Sequence, residues 1–207
     1  TAACNPAFGS ELPQKQRIDA VVKPLIDAEE VVGAVVGIVT PDGNHILSYG
    51  STSYLEKDVP DGDTIFEIGS LTKVFTGVLL AEMVSQDLVK LDDQVSMYLP
   101  EGVMVPNVAG TEITLLHLAT HTAGFARDPS NLRPKDPLNR FADYTEKQLY
   151  LLLTESSEPV PNRLSETEKS EAPANLAYQY SNVGVGLLGH LLERKEGKSY
   201  ERLVAER

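Results

Sequence analysis

Ser70-Leu71-Thr72-Lys73 sets a hydroxyl and an amine three residues apart at the head of the apolar run Val74 to Val84. Phe75, Val78, Leu79 and Met83 recur at three- and four-residue steps, which predicts a buried helix, and Phe66 to Gly69 reads as a strand end or tight loop before it. Ser70 then falls at the helix N-terminus, where N–H groups lack partners and the macrodipole is positive. Lys73 lies one turn later on the same face, so the two side chains can touch. A serine hydroxyl becomes a nucleophile when a nearby base takes its proton. A lysine serves as that base only as the neutral amine, which burial in an apolar helix and a positive helix end both favour. These two residues alone leave open an N-cap serine beside a solvated first-turn lysine.

A second set of polar residues, Tyr180-Ser181-Asn182, precedes a glycine-spaced apolar helix predicted over Val183 to Glu193, with Gly197 behind it and a last helix opening at Ser199. Gly184, Gly186 and Gly189 match G-x-G-x-x-G, but no strand precedes them and no acidic residue follows on a strand to take a ribose. They are read as allowing close helix packing, and no cofactor is expected. Residues Thr114 to Thr120 predict a short helix capped by Thr114. His117 and His121 are four apart there, but nothing nearby supplies a third ligand, so packing and turn hydrogen bonds are expected rather than a metal.

The elements around these residues follow from the pattern. Lys15 to Glu29 carries Ile18, Val21, Val22, Leu25 and Ile26 on one face and predicts an amphipathic helix kinked at Pro24. Val31 to Thr40, the turn Pro41 to Asn44 and His45 to Tyr49 predict a hairpin at least partly buried on both faces, with His45 a polar strand residue. Residues 51 to 64 are a polar loop. Leu88, Leu91, Val95 and Leu99 anchor short elements from Asp87 to Pro100. Phe125 to Tyr144 is aperiodic and rich in Pro, Asn, Asp and Arg, a long surface loop of the kind that walls a binding site. Thr145 to Gln148 is a capping-box pattern opening a helix to about Leu153. Glu155 to Asn175, acidic with three prolines, is expected to be a mobile excursion.

The 207 residues have an ordinary soluble composition, 42% hydrophobic and 23% charged, enough for a real core. A net charge of -12 without any Lys/Arg cluster argues against nucleic acid and anionic membranes as partners. The single cysteine, Cys4, excludes an internal disulfide and a multi-cysteine metal site. No apolar run is long enough to span a bilayer. Ala2-Ala3-Cys4 before a polar leader is similar to the end of a bacterial lipoprotein signal, so Cys4 is a candidate lipid anchor, beside a trimmed end or a plain secreted protein.

Ser70-Leu71-Thr72-Lys73 and Tyr180-Ser181-Asn182 together resemble the S-x-x-K and Y-x-N motifs of the serine β-lactamase and penicillin-binding protein superfamily, in its class C-like branch. Leu115 to Gly124 and Leu91 to Pro100 resemble that family in order and spacing. Thr122 to Tyr150 and Tyr180 to Arg207 look most like its DD-peptidase-type members. The resemblance implies an α+β fold, an antiparallel sheet flanked by helices plus a mainly helical domain. It divides the chain into a leader or linker (1–14), the N-terminal part of an α/β domain (15–69) and the mainly helical domain (70–207). It implies a serine hydrolase forming an acyl-enzyme with β-lactams or D-Ala-D-Ala-type amides of peptidoglycan, periplasmic or extracellular. Ser70 would be the nucleophile, its own N–H one oxyanion donor. Lys73 would take its proton. Tyr180, its phenol acidified by cationic neighbours, would relay a proton to the leaving nitrogen and later activate water. Asn182 would hold Lys73 and the substrate amide, a role compatible with capping the helix at Val183. The family's K-T-G-like triplet, on the strand that completes the sheet, does not occur before Arg207, so the C-terminal half of the α/β domain is expected to lie outside this chain. An esterase of the same fold and a catalytically inactive peptidoglycan- or peptide-binding relative are the alternative readings.

Overall fold

A computed structural model describes residues 14–107, 112–155 and 178–207. Cys4 and the acidic stretch from residue 156 to Asn175 lie outside the described residues. The chain divides into two compact units, Thr1–Glu67 and Ile68–Arg207. Among the described residues no helix is long and apolar enough to cross a membrane.

In the first unit helix α1 (Lys15–Asp27) continues through Pro24. A proline this close to the end removes only one late intrahelical bond, and the Pro24 carbonyl still accepts the Ala28 N–H at 2.9 Å. Strands β1 (Gly33–Thr40) and β2 (Gly43–Gly50) form an antiparallel hairpin in which Ala34 faces Tyr49, Val36 faces Leu47 and Ile38 faces His45. These residues share one face. Helix α1 packs beside β2, and the Tyr49 hydroxyl donates to Asp19 Oδ1 at 2.8 Å. Lys15 and Lys23, at 2.8 and 2.9 Å from Asp19 Oδ2, hold that carboxyl far below the usual carboxylate range. Burial, then Asp19, pushes the Tyr49 phenol up to about 12. The opposite face corrects the expectation of burial on both sides. Val39 is 84% exposed and Ile46 50%, with Gly62 of the following loop closing on Ile46. The period of two puts Val39 and Ile46 on the side away from Tyr49.

The second unit is built around helix α5 (Asn182–Glu196), whose Val183, Val185, Leu187, Leu188, Leu191 and Leu192 are all buried. A helix apolar over so much of its circumference belongs at a centre. Helices α2 (Thr72–Ser85), α3 (Leu115–Ala119) and α6 (Tyr200–Glu206) all contact it. Each leucine sealed there contributes about 1.5–3 kcal/mol of transfer free energy. Gly197, at φ +66°, ends α5 in the left-handed conformation that glycine adopts without a Cβ penalty. Gly189 brings α5 against the Tyr200 ring, at 3.4 Å from where a Cβ would stand, and Gly184 lies near Leu118, whereas Gly186 is open. Close packing therefore explains two of the three glycines. Helix α4 (Glu146–Glu155) opens on the predicted capping box, with Gln148 Oε1 accepting from the Thr145 N–H at 2.9 Å. Val95 is buried and Leu88 and Leu99 half-buried as anchors of the 87–100 segment, but Leu91 is 40% exposed. Leu91 anchors by its carbonyl, which accepts from Leu116 at 2.9 Å.

The α2 pattern is also corrected. Its buried face is Thr76, Leu79, Leu80 and Met83, while Phe75 and Val78 are 48% and 62% exposed. Leu71, Val74, Phe75 and Val78 form a second apolar stripe, so spacing alone did not choose the face turned to α5.

Candidate active site

Gly69, at φ +52°, turns the chain into a single 3-10 turn, Gly69–Leu71, and α2 begins at Thr72. Ser70 is thus exposed in the turn just before the helix, and Lys73 is half-buried in its first turn. Lys73 Nζ donates to Ser70 Oγ at 3.2 Å and to Asn182 Oδ1 at 2.8 Å. The Tyr180 hydroxyl lies 2.6 Å from Ser70 Oγ. All four sequence-predicted residues, spread from Ser70 to Asn182 along the chain, therefore meet in one hydrogen-bonded cluster where the N-terminal ends of α2 and α5 come together.

Tyr180 sits between cations, with Lys73 Nζ 4.8 Å and the Arg127 guanidinium 5.3 Å from its ring centre. The hydrogen bond from Lys73, then that from Ser70, lowers its phenol from the ordinary value, and Arg127 adds to this through space. A phenol of lowered pKa 2.6 Å from a serine hydroxyl can exchange a proton with it.

The helix cap differs from expectation. Ser181, not Asn182, caps α5, its buried Oγ accepting the Gly184 N–H at 2.9 Å and donating to the Ala126 carbonyl at 2.7 Å. Asn182 is the first helical residue, so its amide is free to donate to Asp128 Oδ1 at 2.8 Å while its oxygen takes Lys73. A serine hydroxyl is short enough to return to its own helix, and the next side chain points outward.

Three contributors were not singled out as site residues. Asp128 orients the Asn182 amide and is paired at 3.4 Å with Arg140. Arg127 accepts the Asn182 N–H on its carbonyl at 2.8 Å. His121, at φ +59°, lies 4.7 Å from the Tyr180 ring, and its Nδ1 accepts the Ser181 N–H at 3.1 Å. The only sequence signal for Arg127 and Asp128 was their place in the loop marked as a wall. Because a backbone N–H only donates, His121 Nδ1 is unprotonated, and burial, then the Lys73 charge, lowers its pKa. His117 likewise spends Nδ1 on the Thr114 N–H at 3.2 Å, completing the α3 capping box. Among the described residues no group of three acidic, His or Cys side chains is placed to hold a metal.

A prediction follows for acid stability. Below the ordinary histidine value of about 6.5 the unfolded chain gains a proton that folded His121 resists, so stability contributed by this residue is lost as pH falls through that window. His121→Asn keeps an acceptor near Nδ1 and tolerates the left-handed backbone. Its melting temperature should fall less than the parent's between pH 6.5 and 5 in matched thermal scans, and parallel curves would remove His121 from the account.

The beta-lactamase family model matches residues 18–207, and the chain belongs to that family. The D-alanyl-D-alanine-carboxypeptidase/endopeptidase AmpH of Escherichia coli (strain K12) is 34% identical over 173 residues, 83% of this chain and 41% of the relative. A beta-lactamase of the same strain is 27% identical over 209 residues, covering 100% of this chain and 48% of the relative. The crystal structure of a beta-lactamase/D-alanine carboxypeptidase from Yersinia pestis complexed with citrate aligns at a TM-score of 0.74 and 26% identity, over 93% of this chain and 51% of that one. The fold is the α+β fold of the β-lactamase and transpeptidase type. The chain spans less than half the length of the two curated relatives.

Proposed function

We propose that this chain carries the nucleophile and proton relay of a serine hydrolase that forms an acyl-enzyme with β-lactams or D-Ala-D-Ala-type amides of peptidoglycan. The observation that carries the reading is the single cluster in which Ser70 Oγ is reached at once by Lys73 Nζ and the Tyr180 hydroxyl. Membership of the beta-lactamase family and similarity to a D-Ala-D-Ala carboxypeptidase support the substrate class.

Ser70 Oγ attacks the carbonyl carbon of the scissile amide as its proton passes to neutral Lys73. The developing oxyanion takes the Ser70 N–H at the helix start. Tyr180 gives its proton to the leaving nitrogen, the C–N bond breaks and an ester to Ser70 remains. The Tyr180 phenolate then takes the proton of the water that attacks the ester, and as the ester bond breaks Lys73 returns its proton to Ser70 Oγ, which restores both groups. Asn182, held by Asp128, fixes Lys73 and receives the substrate amide. Residues 1–14 are assigned to a leader or linker, residues 15–69 to the N-terminal part of the α/β domain, residues 70–207 to the helical domain, the site to the periplasm or exterior, and Cys4 to a candidate lipid anchor. The acting protein is the full-length one.

Full-length protein incubated with a penicillin should gain one drug-sized mass, mapped by peptide mass spectrometry to Ser70. An adduct on another residue, or none with penicillins and activated esters alike, overturns the reading.

A further inference from the structure

The Arg127 guanidinium lies over the Tyr180 ring, where its charge helps to lower the phenol's pKa. In a chain of net charge -12, Arg140, Arg194, Arg202 and Arg207 each reach a carboxylate, whereas Arg133 donates only to the Ser130 and Leu132 carbonyls. Among the described residues no carboxylate lies within ion-pairing distance of the Arg127 guanidinium. Asp128, beside it in sequence, is already committed to Asn182 and Arg140. The Arg127 side chain is exposed, yet its base is fixed, because its carbonyl accepts the Asn182 N–H at 2.8 Å and the guanidinium lies 5.3 Å from the Tyr180 ring centre. A guanidinium resting on an aromatic ring keeps its edge N–H groups for a second partner, and that planar fork matches a carboxylate with two parallel hydrogen bonds. The Tyr180 hydroxyl touches Ser70 Oγ, so such a partner would sit a few bonds from the carbonyl that Ser70 attacks.

We propose that Arg127 is a specificity-determining residue that binds a carboxylate of the substrate acylating Ser70. The proposal rests on the serine-hydrolase reading and adds to it the demand for an anionic group near Tyr180. That carboxylate belongs either to the acyl part or to the leaving group, and the recognition chemistry is the same for both. A cation at this place also favours the Tyr180 phenolate for every substrate, so the test must isolate preference from rate.

Full-length parent, Arg127→Gln and Arg127→Lys would be assayed for kcat/KM with three thioesters of matched reactivity. One is neutral throughout, one has a carboxylate on the leaving thiol, and one has a carboxylate on the acyl chain. In Arg127→Gln the preference for a carboxylate donor over the neutral donor should fall about ten- to a hundredfold, the scale of a hydrogen-bonded charge pair, and the donor whose ratio falls names the side. Arg127→Lys should retain part of the preference, since it keeps the charge and loses the fork. The ratios are internal to each preparation and do not depend on how much of a variant is folded. If all three donors slow by one factor, or none slows, Arg127 serves Tyr180 or packing alone and the proposal is overturned. If the parent is acylated by no donor, the hydrolase reading fails with it, and that is visible before any variant is made.

Discussion

Lys73→Arg should slow acylation of Ser70 by roughly a hundredfold or more, the scale expected when a general base is lost. Arginine keeps a positive charge at the first turn of α2 and can still donate to Asn182, whose Oδ1 now receives Lys73 at 2.8 Å. It cannot accept the serine proton, because a guanidinium does not deprotonate in proteins. The variant therefore separates charge from basicity. Acylation would be followed as the rate of adduct formation, on protein whose circular dichroism matches the parent's. Parental rates in Lys73→Arg would exclude the amine as base and direct attention to His121, the imidazole nearest the Tyr180 ring.

Most of the elements were legible because they rest on local chemistry. Thr114 and Thr145 were readable as caps, and Gly197 as a stop, since each acts within a turn of its own position. Ser70 and Lys73 are related by one helical turn and were readable for the same reason. Their link to Tyr180 and Asn182 was not a matter of spacing. It needed the family resemblance, because it depends on two helix starts more than a hundred residues apart.

What local pattern did not supply was the choice between equivalent faces and the contacts of an aperiodic loop. Helix α2 has apolar residues on two sides, and only the approach of α5 and α6 decides that Thr76 and Leu80 are buried while Phe75 and Val78 are not. Thr76 is buried at the helix contact because its hydroxyl meets that of Tyr200 at 2.8 Å, a pairing without periodicity. Asp128, Arg127 and His121 reach the 180–182 segment through backbone carbonyls and single side chains across more than fifty residues. Such contacts leave no mark on hydrophobic spacing.

Tyr180→Phe should slow turnover of the acyl-enzyme by roughly a hundredfold or more, and at a different step from Lys73→Arg. Phenylalanine keeps the ring between Lys73, Arg127 and His121, so the packing of the cluster survives. It removes only the hydroxyl 2.6 Å from Ser70 Oγ. Lowering of the phenol's pKa, chiefly by Lys73, means that the phenolate forms as pH rises through a value below the ordinary tyrosine value of about 10. If that phenolate takes the proton of the hydrolytic water, deacylation in the parent should rise with pH through the lowered value and then level. In Tyr180→Phe the rate should be low and should lack that rise. The measurement is the decay of the Ser70 adduct by mass spectrometry across a pH series after excess reagent is removed. Equal decay in parent and variant, or the same pH dependence in both, would leave Tyr180 as a packed aromatic and move water activation to Lys73.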